Sequence, residues 1–290
     1  MADKRTEVNR CRSFRAAARG TGASLGVVMS LVSTLPGCSV PEVSTSTFQV
    51  ETVVSGLDTP WDLAWGPDDA IWVTERPGGV SRVDPVTGAL TRVGLIEVHE
   101  QSESGLMGMA FHPDFDEQPY VYFAHSYDAG GGIENRLIRM TYDGTELVAP
   151  QVLIDRVPGR GNHNGSRLAV GPDRLLYMTT GDAGRTELAQ DLASTAGKIL
   201  RVTLDGQPAP GNPFGSLVYS YGHRNPQGIV FHPRSGDLYI AEHGPNDNDE
   251  VSRVVRGGNF GWPDVHGFCD GDTSGEEAYC QSNDVEEPLE

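Results

Sequence analysis

Four segments of the chain share one pattern of apolar and polar residues. Each starts with an apolar-small-apolar triplet, passes through Gly or His to a proline and a polar turn, and ends in an apolar-aromatic-apolar stretch. Alternating apolar residues on both sides of a Pro-led turn predict a β-hairpin. The four predicted hairpins cover residues 63–74, 109–124, 168–179 and 229–241, and their turn prolines are Pro67, Pro113, Pro172 and Pro233.

The spacing of these hairpins predicts the fold. The turn prolines are 46, 59 and 61 residues apart, which leaves room for two more strands in each repeat. Four-stranded antiparallel sheets that recur at such intervals are typical of a β-propeller. A β-sandwich with hairpins that look alike by chance is the alternative, but the shared Pro and aromatic positions favour the propeller. No segment keeps a helical period over three turns, so the body is predicted to be all-β, with its functional loops at the mouth of the central channel.

Composition and charge agree with this interpretation and exclude one class of partner. The 36 Gly and 19 Pro among 290 residues indicate a turn-rich chain. The formal net charge is −18. A nucleic-acid-binding function is therefore excluded, because it needs Lys and Arg to neutralise phosphates.

The N-terminus predicts export. Residues 1–20 carry a net charge of +4, so the remaining residues carry −22, and residues 23–35 form an uncharged, mainly apolar run. A basic stretch before a short apolar run is the layout of a signal peptide, and this run is too short for a comfortable transmembrane helix. We therefore expect a signal peptide over residues 1–38, a Ser/Thr-rich linker over 39–47 and the propeller domain over 48–290.

The cysteines refine the expected location. Cys38 follows Leu35-Pro36-Gly37, which resembles the lipobox of bacterial lipoproteins, so Cys38 is expected to carry a lipid; a plain signal peptide with an incidental Cys is the alternative. The protein would then be periplasmic or at the cell surface and would touch the membrane only through this anchor. In an oxidising compartment Cys269 and Cys280 are expected to form a disulfide, whereas a metal pair would lack a nearby CxxC or His cluster.

Three loops next to the predicted hairpins carry candidate chemistry. His163 lies in a Gly/Asn-rich loop, where it could act as a general base or simply bond the backbone of a turn. Arg224 and Asn225 together suit a ligand with carboxylates or carbonyls, or they form a structural turn. Residues 246–250 are rich in oxygen ligands, as Ca²⁺ sites are, although they lack the glycine of an EF-hand loop and could be a solvated acidic loop.

Taken together, these loops resemble the soluble PQQ-dependent sugar dehydrogenases, the glucose/sorbosone or aldose sugar dehydrogenase group, over about residues 56–263. The matching strings are Glu103-Ser-Gly-Leu-Met-Gly-Met-Ala-Phe-His-Pro-Asp-Phe115, His163-Asn-Gly-Ser-Arg-Leu168, Thr180-Gly-Asp182, Gly197-Lys-Ile-Leu-Arg201, Gly222-His-Arg-Asn-Pro-Gln-Gly228, Glu242-His-Gly-Pro245 and Gly257-Gly-Asn-Phe-Gly-Trp-Pro263.

The resemblance implies a six-bladed propeller that holds pyrroloquinoline quinone (PQQ) and Ca²⁺ at its mouth. It implies an enzyme that oxidises the anomeric carbon of an aldose to a lactone and passes the electrons to an external acceptor. The implied catalytic base is His163. The implied cofactor-binding residues are Glu103, Asn162, Arg224 and Asn225, and the implied Ca²⁺ ligands are the carbonyls of Gly244 and Pro245. The acidic composition of residues 246–250 adds Asp249 and Glu250 as further candidate ligands.

The end of the chain departs from this pattern. The family supplies a Lys and several Arg from later blades, but no Lys or Arg follows Arg256 here. We therefore expect about four of the six blades, with a truncation at the C-terminus. Two other functions stay open at this point: a Ca²⁺-dependent propeller hydrolase or lactonase that uses His163 to activate water, and a non-catalytic propeller that binds a sugar or a protein.

Overall fold

The computed structural model describes residues 50–246 and 248–289. The predicted signal peptide, Cys38 and the Ser/Thr-rich linker lie outside these residues. Residues from Glu51 onward form one compact unit. None of the helices in the described part is long and apolar enough to cross a lipid bilayer.

The described chain forms four antiparallel sheets, one after another, as the blades of a propeller. Blade 1 consists of β1 (Pro60–Trp65), β2 (Ile71–Glu75), β3 (Gly79–Val83) and β4 (Leu90–Leu95). Blade 2 consists of β5 (Leu106–Phe111), β6 (Tyr120–Asp128), β7 (Ile133–Tyr142) and β8 (Leu147–Pro158). Blade 3 consists of β9 (Leu168–Val170), β10 (Leu176–Thr180), β11 (Lys198–Val202) and β12 (Val218–Tyr221). Blade 4 consists of β13 (Pro226–Phe231), β14 (Leu238–Glu242) and β15 (Glu250–Val254).

The predicted propeller is confirmed, and each predicted hairpin forms the first two strands of one blade. Blade 4 corrects one detail, since its sheet has three described strands rather than four. After β15 the chain enters a Gly-rich turn, and Asn259 instead forms isolated parallel bridges with Tyr221 and Val285. The described part also contains a 3₁₀ helix over Thr186–Ala189 and one α-helix, α1 (Glu276–Ser282).

Strand β6 shows how the alternation of side chains joins neighbouring blades. Val121 and Phe123 pack into the core between blades 1 and 2. Tyr122 and Ala124 belong to the core shared with blade 3. Because successive side chains of a strand point to opposite faces, an uninterrupted apolar run suits a strand that is covered on both faces.

The connection between β10 and β11 is fastened by a buried lysine. Lys198 is fully buried, and its Nζ donates to the carbonyl oxygens of Leu188, Ala189 and Ala196 at 2.7, 2.8 and 2.6 Å. Burial lowers the pKa of Lys198 to about 7. The amine of Lys198 thus holds the 3₁₀ helix and the following turn against blade 3. Both belong to the β10–β11 loop, which also contains Asp182.

The region after blade 4 contains one disulfide. The Sγ atoms of Cys269 and Cys280 are 2.05 Å apart, and the bridge ties the loop before α1 to the helix itself. A metal pair at these two residues is therefore not formed in this structure.

The strand directions place the loops that carry the candidate site residues on one face of the propeller. In an antiparallel blade, the loop that enters the first strand and the loop that joins the second to the third lie at the same end. These loops contain His163, Asp182, Arg224 and Gly244. The turns with the four predicted prolines lie at the opposite end.

Candidate active site

His163 lies in the loop between β8 and β9, and its ring is held by a carboxylate. The residue has a left-handed φ of +55°, and its Nδ1 is 2.9 Å from Oδ1 of Asp182. A carboxylate oxygen that accepts from Nδ1 selects the tautomer in which Nδ1 carries the hydrogen and Nε2 has the lone pair. The side chain is 17% exposed, and Nε2 forms no hydrogen bond with a described residue. Nε2 is thus free to accept a proton from a ligand.

Asp182 positions the ring of His163. It follows β10, is completely buried and accepts three hydrogen bonds: from Nδ1 of His163, from the backbone N–H of Gly184 at 2.6 Å and from Nε1 of Trp262 at 2.9 Å. The preceding residue must be small, because a Cβ on Gly181 would lie 2.0 Å from the carbonyl oxygen of His163. Asp182 therefore fixes the ring of His163 from a rigid position.

Glu103 fastens the loop that carries His163. Its Oε2 accepts the backbone N–H of His163 at 3.1 Å, and its own N–H donates to the carbonyl oxygen of Gly161 at 2.7 Å. The family resemblance implies that Glu103 binds the cofactor; the contacts found here are with the loop backbone. Asn162, in the same loop, lines a cleft of about 900 Å³.

A second histidine–carboxylate pair supports the loop that begins blade 4. Nδ1 of His223 is 3.0 Å from Oε2 of Glu242, and Nε2 of His223 is 2.9 Å from Oγ of Ser220. Glu242 also accepts the backbone N–H groups of Arg224 and Asn225. Since His223 is fully buried and both of its nitrogens are occupied, this pair is structural and shapes the 222–225 turn.

Arg224 and Asn225 are brought to the same mouth as His163. The guanidinium of Arg224 lies 5.3 Å from the centre of the Trp262 ring, and its Nη1 donates to the carbonyl oxygen of His243 at 3.1 Å. Its Nε is buried and has no hydrogen-bond partner among the described residues. Oδ1 of Asn225 accepts the backbone N–H of Gly165 at 3.0 Å, which links blade 4 to the His163 loop.

The predicted calcium ligands fall into two groups. Gly244, Pro245 and Glu250 line one small cavity together with Arg224 and Trp262. Neither the Gly244 nor the Pro245 carbonyl oxygen accepts a hydrogen bond from a described residue. In the same cavity, burial and the neighbouring Glu242 raise the pKa of the Glu250 carboxyl to about 8.

Asp249 stands apart from this cavity. Its Oδ1 accepts the backbone N–H of Gly244 at 3.0 Å, and its side chain is largely exposed. Over residues 50–246 and 248–289, no group of three or more His, Cys, Asp or Glu side chains is arranged to hold a metal ion.

The fold and the site define a propeller with a carboxylate-held histidine at its mouth, and the comparisons with known proteins place it among sugar dehydrogenases. The profile of the Glucose / Sorbosone dehydrogenase family matches residues 57–290. The chain belongs to this family.

The individual relatives that the chain matches are also sugar dehydrogenases. The chain is 37% identical over 260 residues to quinoprotein glucose dehydrogenase B of Acinetobacter calcoaceticus, covering 77% of this chain and 54% of that protein. It is 30% identical over 231 residues to aldose sugar dehydrogenase YliI of Escherichia coli, covering 75% of this chain and 62% of the relative. The PQQ-bound structure of aldose sugar dehydrogenase from Streptomyces coelicolor superimposes with a TM-score of 0.74 at 40% identity, covering 83% of this chain and 70% of that one. The chain spans between half and two thirds of the length of these two curated relatives.

The sequence analysis predicts no role for three residues that support the site. Asp182, Glu242 and Trp262 each stand in a string that carries the family resemblance, but nothing in their spacing shows what they contact. Asp182 is 19 positions from His163 and 80 from Trp262, and only the stacking of blades 3 and 4 brings these three side chains together. The available signal for Asp182 and Glu242 was their position just after a predicted hairpin, whereas Trp262 follows no predicted strand.

Proposed function

We propose that this protein is a quinoprotein oxidoreductase that oxidises the anomeric carbon of aldose sugars to the lactone, with PQQ and Ca²⁺ as cofactors and an external electron acceptor. The observation that carries the proposal is the His163–Asp182 pair, which leaves Nε2 of His163 free on the propeller mouth. The relatives named above, a quinoprotein glucose dehydrogenase and a PQQ-bound aldose sugar dehydrogenase, support the choice of cofactor and substrate.

The chemistry of the described residues fits PQQ. The buried Nε of Arg224 has no hydrogen-bond partner among them, and a guanidinium donor of this kind suits a carboxylate of the cofactor. We assign Arg224, Asn225, Asn162 and Glu103 as the residues that border the bound cofactor.

The residues present also fit Ca²⁺. The carbonyl oxygens of Gly244 and Pro245 accept no hydrogen bond from described residues, and a hard cation prefers such oxygen ligands. Two carbonyls leave most of the coordination sphere to the cofactor and to water. We propose Glu250, which lines the same cavity, as a nearby carboxylate. Asp249 lies outside this cavity and would act only by holding the backbone N–H of Gly244.

His163 supplies the proton chemistry. Nε2 takes the proton of the anomeric hydroxyl while the C1–H bond breaks and the C1–O bond becomes a carbonyl, so that the sugar loses one proton and one hydride. Bound PQQ supplies the two-electron acceptor for that hydride.

Asp182 makes this step possible. By accepting the Nδ1–H it selects the tautomer whose Nε2 is basic, and it stabilises the imidazolium that forms when the ring takes up the proton. Trp262 and Gly184 hold the carboxylate in turn, so the ring has little freedom to rotate.

The test is reduction of an artificial dye by the mature protein loaded with PQQ and Ca²⁺, with a panel of aldoses. We expect dye reduction only when both sugar and PQQ are present, and a lactone as the product. No dye reduction with any aldose at saturating cofactor would overturn the proposal.

A further inference from the structure

A wide polar cleft opens next to the His163 loop, on the same face of the propeller. Its volume of about 900 Å³ lies near the upper end of the roughly 300–1,000 Å³ that ligand pockets occupy. The cleft is therefore large enough for more than a single sugar ring. Its lining comes from loops of blades 2 and 3 and includes Ser102, Gly132, Arg156, Arg160, Asn162 and Arg185.

Three arginines make the lining of this cleft positively charged. Arg156 lies near the end of β8, Arg160 in the following loop and Arg185 just before the 3₁₀ helix. None of them forms a salt bridge with a residue in the described ranges. The acidic lining residue is Glu134, whose Oε2 accepts the hydroxyl of Tyr127 at 2.8 Å.

The charge of the cleft is opposite to that of the whole chain. Three arginines against one glutamate leave a surplus of two positive charges, while the full chain carries −18. A concave surface lined by one sign of charge concentrates the electrostatic potential and attracts ligands of the opposite sign. The cleft is thus a place on the described surface that favours an anionic ligand.

The arginines are also tied to the catalytic pair. Arg160 precedes His163 by three positions, and its guanidinium lies against Gly184, so close that a Cβ on Gly184 would be 2.8 Å from Nη1. The backbone N–H of Arg185 donates to the carbonyl oxygen of Asp182 at 3.0 Å. Asn162, Arg160 and Arg185 all line the cleft, so a ligand that extends from His163 into it would lie beside both arginines.

We propose, building on the oxidation of aldoses proposed above, that this cleft is a subsite for an acidic saccharide. The reducing-end aldose lies at His163, and the next sugar unit places a carboxylate between Arg160 and Arg185, with Arg156 further out. A planar guanidinium recognises a carboxylate through two parallel N–H···O bonds, which a neutral hydroxymethyl group cannot accept in the same way.

The test compares two disaccharides that differ in one group. Cellobiose is neutral, and cellobiouronic acid carries a carboxylate in place of the hydroxymethyl group on the non-reducing ring. Isothermal titration calorimetry on the wild-type protein should show at least about tenfold tighter binding of the acid, as expected for hydrogen bonds to a charged group. The preference should shrink when salt rises from about 0.05 to 0.5 M, because exposed charges are screened.

Two variants identify the cause of the preference. In the double variant Arg160→Gln/Arg185→Gln the two disaccharides should bind within about twofold of each other. Arg234→Gln, in the exposed β13–β14 turn at the opposite end of the blade, should keep the wild-type preference. Equal binding of both disaccharides to the wild type, or a preference that survives the double variant, overturns the subsite.

Turnover separates this proposal from the function on which it rests. If the loaded enzyme oxidises cellobiose but shows no higher kcat/KM for the acid, the subsite is wrong and the oxidoreductase stands. If the acid binds preferentially but no aldose is oxidised, the oxidoreductase is wrong and the arginine cleft remains a site for acidic saccharides.

Discussion

The molecule contains two histidine–carboxylate pairs that are alike at the Nδ1 atom of the histidine and differ at its Nε2 atom. His163 binds Asp182 and His223 binds Glu242 through Nδ1, at 2.9 and 3.0 Å. Each carboxylate accepts two further N–H donors, and each pair lies at the mouth end of a second strand. The difference is at Nε2: in His223 it contacts the hydroxyl of Ser220, whereas in His163 it has no described hydrogen-bond partner.

This difference shows that a carboxylate partner alone does not mark a catalytic histidine. In both pairs the carboxylate sets the tautomer and the ring orientation. Only the pair that leaves Nε2 open can transfer a proton to or from a ligand. The closed pair uses the same chemistry to hold the 222–225 turn, and with it Arg224.

The largest expected effect comes from removing His163. His163→Gln should lower kcat/KM for an aldose by about 10²–10⁴-fold, the usual contribution of a positioned general base, because a glutamine amide cannot take up the proton. Thermal stability should change little. Steady-state dye reduction and thermal melts of the loaded enzyme provide the measurement.

His223→Gln is the matched control. It should lower the melting temperature and reduce kcat/KM by no more than about tenfold, since His223 does not face the ligand. If the two substitutions reduce kcat/KM equally, the distinction between an open and a closed pair fails.

A stability effect of about 4 kcal/mol is expected for Glu242→Gln, because it removes the charge from a buried pair and disturbs three hydrogen bonds at once. The free energy of unfolding in urea measures it. Glu100→Gln, at an exposed ion pair with Arg76, should cost less than about 1 kcal/mol. Equal costs for the two variants would show that Glu242 does not support the turn.

A third histidine, His125, extends the comparison to a ring without a carboxylate. It is buried, its Nδ1 contacts the carbonyl oxygen of Ser126, and burial lowers its pKa to about 4 from 6.5. The folded protein therefore binds fewer protons than the unfolded chain between these values, so the stability that depends on neutral His125 is lost as pH falls from about 6.5 to about 4. The full loss is up to about 3 kcal/mol.

The measurement is the free energy of unfolding as a function of pH for the wild type and for His125→Gln. The variant should show a shallower decline between about pH 6.5 and 4. His232→Gln, in an exposed turn, should follow the wild-type curve. Parallel curves for His125→Gln and the wild type would mean that folding does not lower the pKa of His125.

The propeller could be predicted because its signal is local. Each first hairpin contains apolar alternation around a turn proline, and Pro67, Pro113, Pro172 and Pro233 all fall between the first two strands of a blade. The three-stranded sheet of blade 4 could not be predicted in this way. It depends on Asn259 bridging to Tyr221 and Val285, which are 38 and 26 positions away.

The site could be predicted only in part, for a related reason. His163 and Arg224 stand in distinctive loops, and the structure brings both to one mouth. Their supports, Asp182 and Glu242, look like ordinary acidic residues after a strand, and their roles arise from contacts between loops. The arginines of the cleft likewise follow no distinctive pattern in the sequence, since what they share is that none forms a salt bridge with another residue in the described part of the chain.

Gly181 provides a rule for reading other sequences. The carbonyl oxygen of His163 occupies the space that any larger side chain at this position would need. A histidine aligned with His163 is therefore not enough to infer a competent base in a homologous chain. The Gly-Asp dipeptide at positions 181 and 182 must accompany it, because a larger residue at position 181 would displace the backbone that carries the histidine.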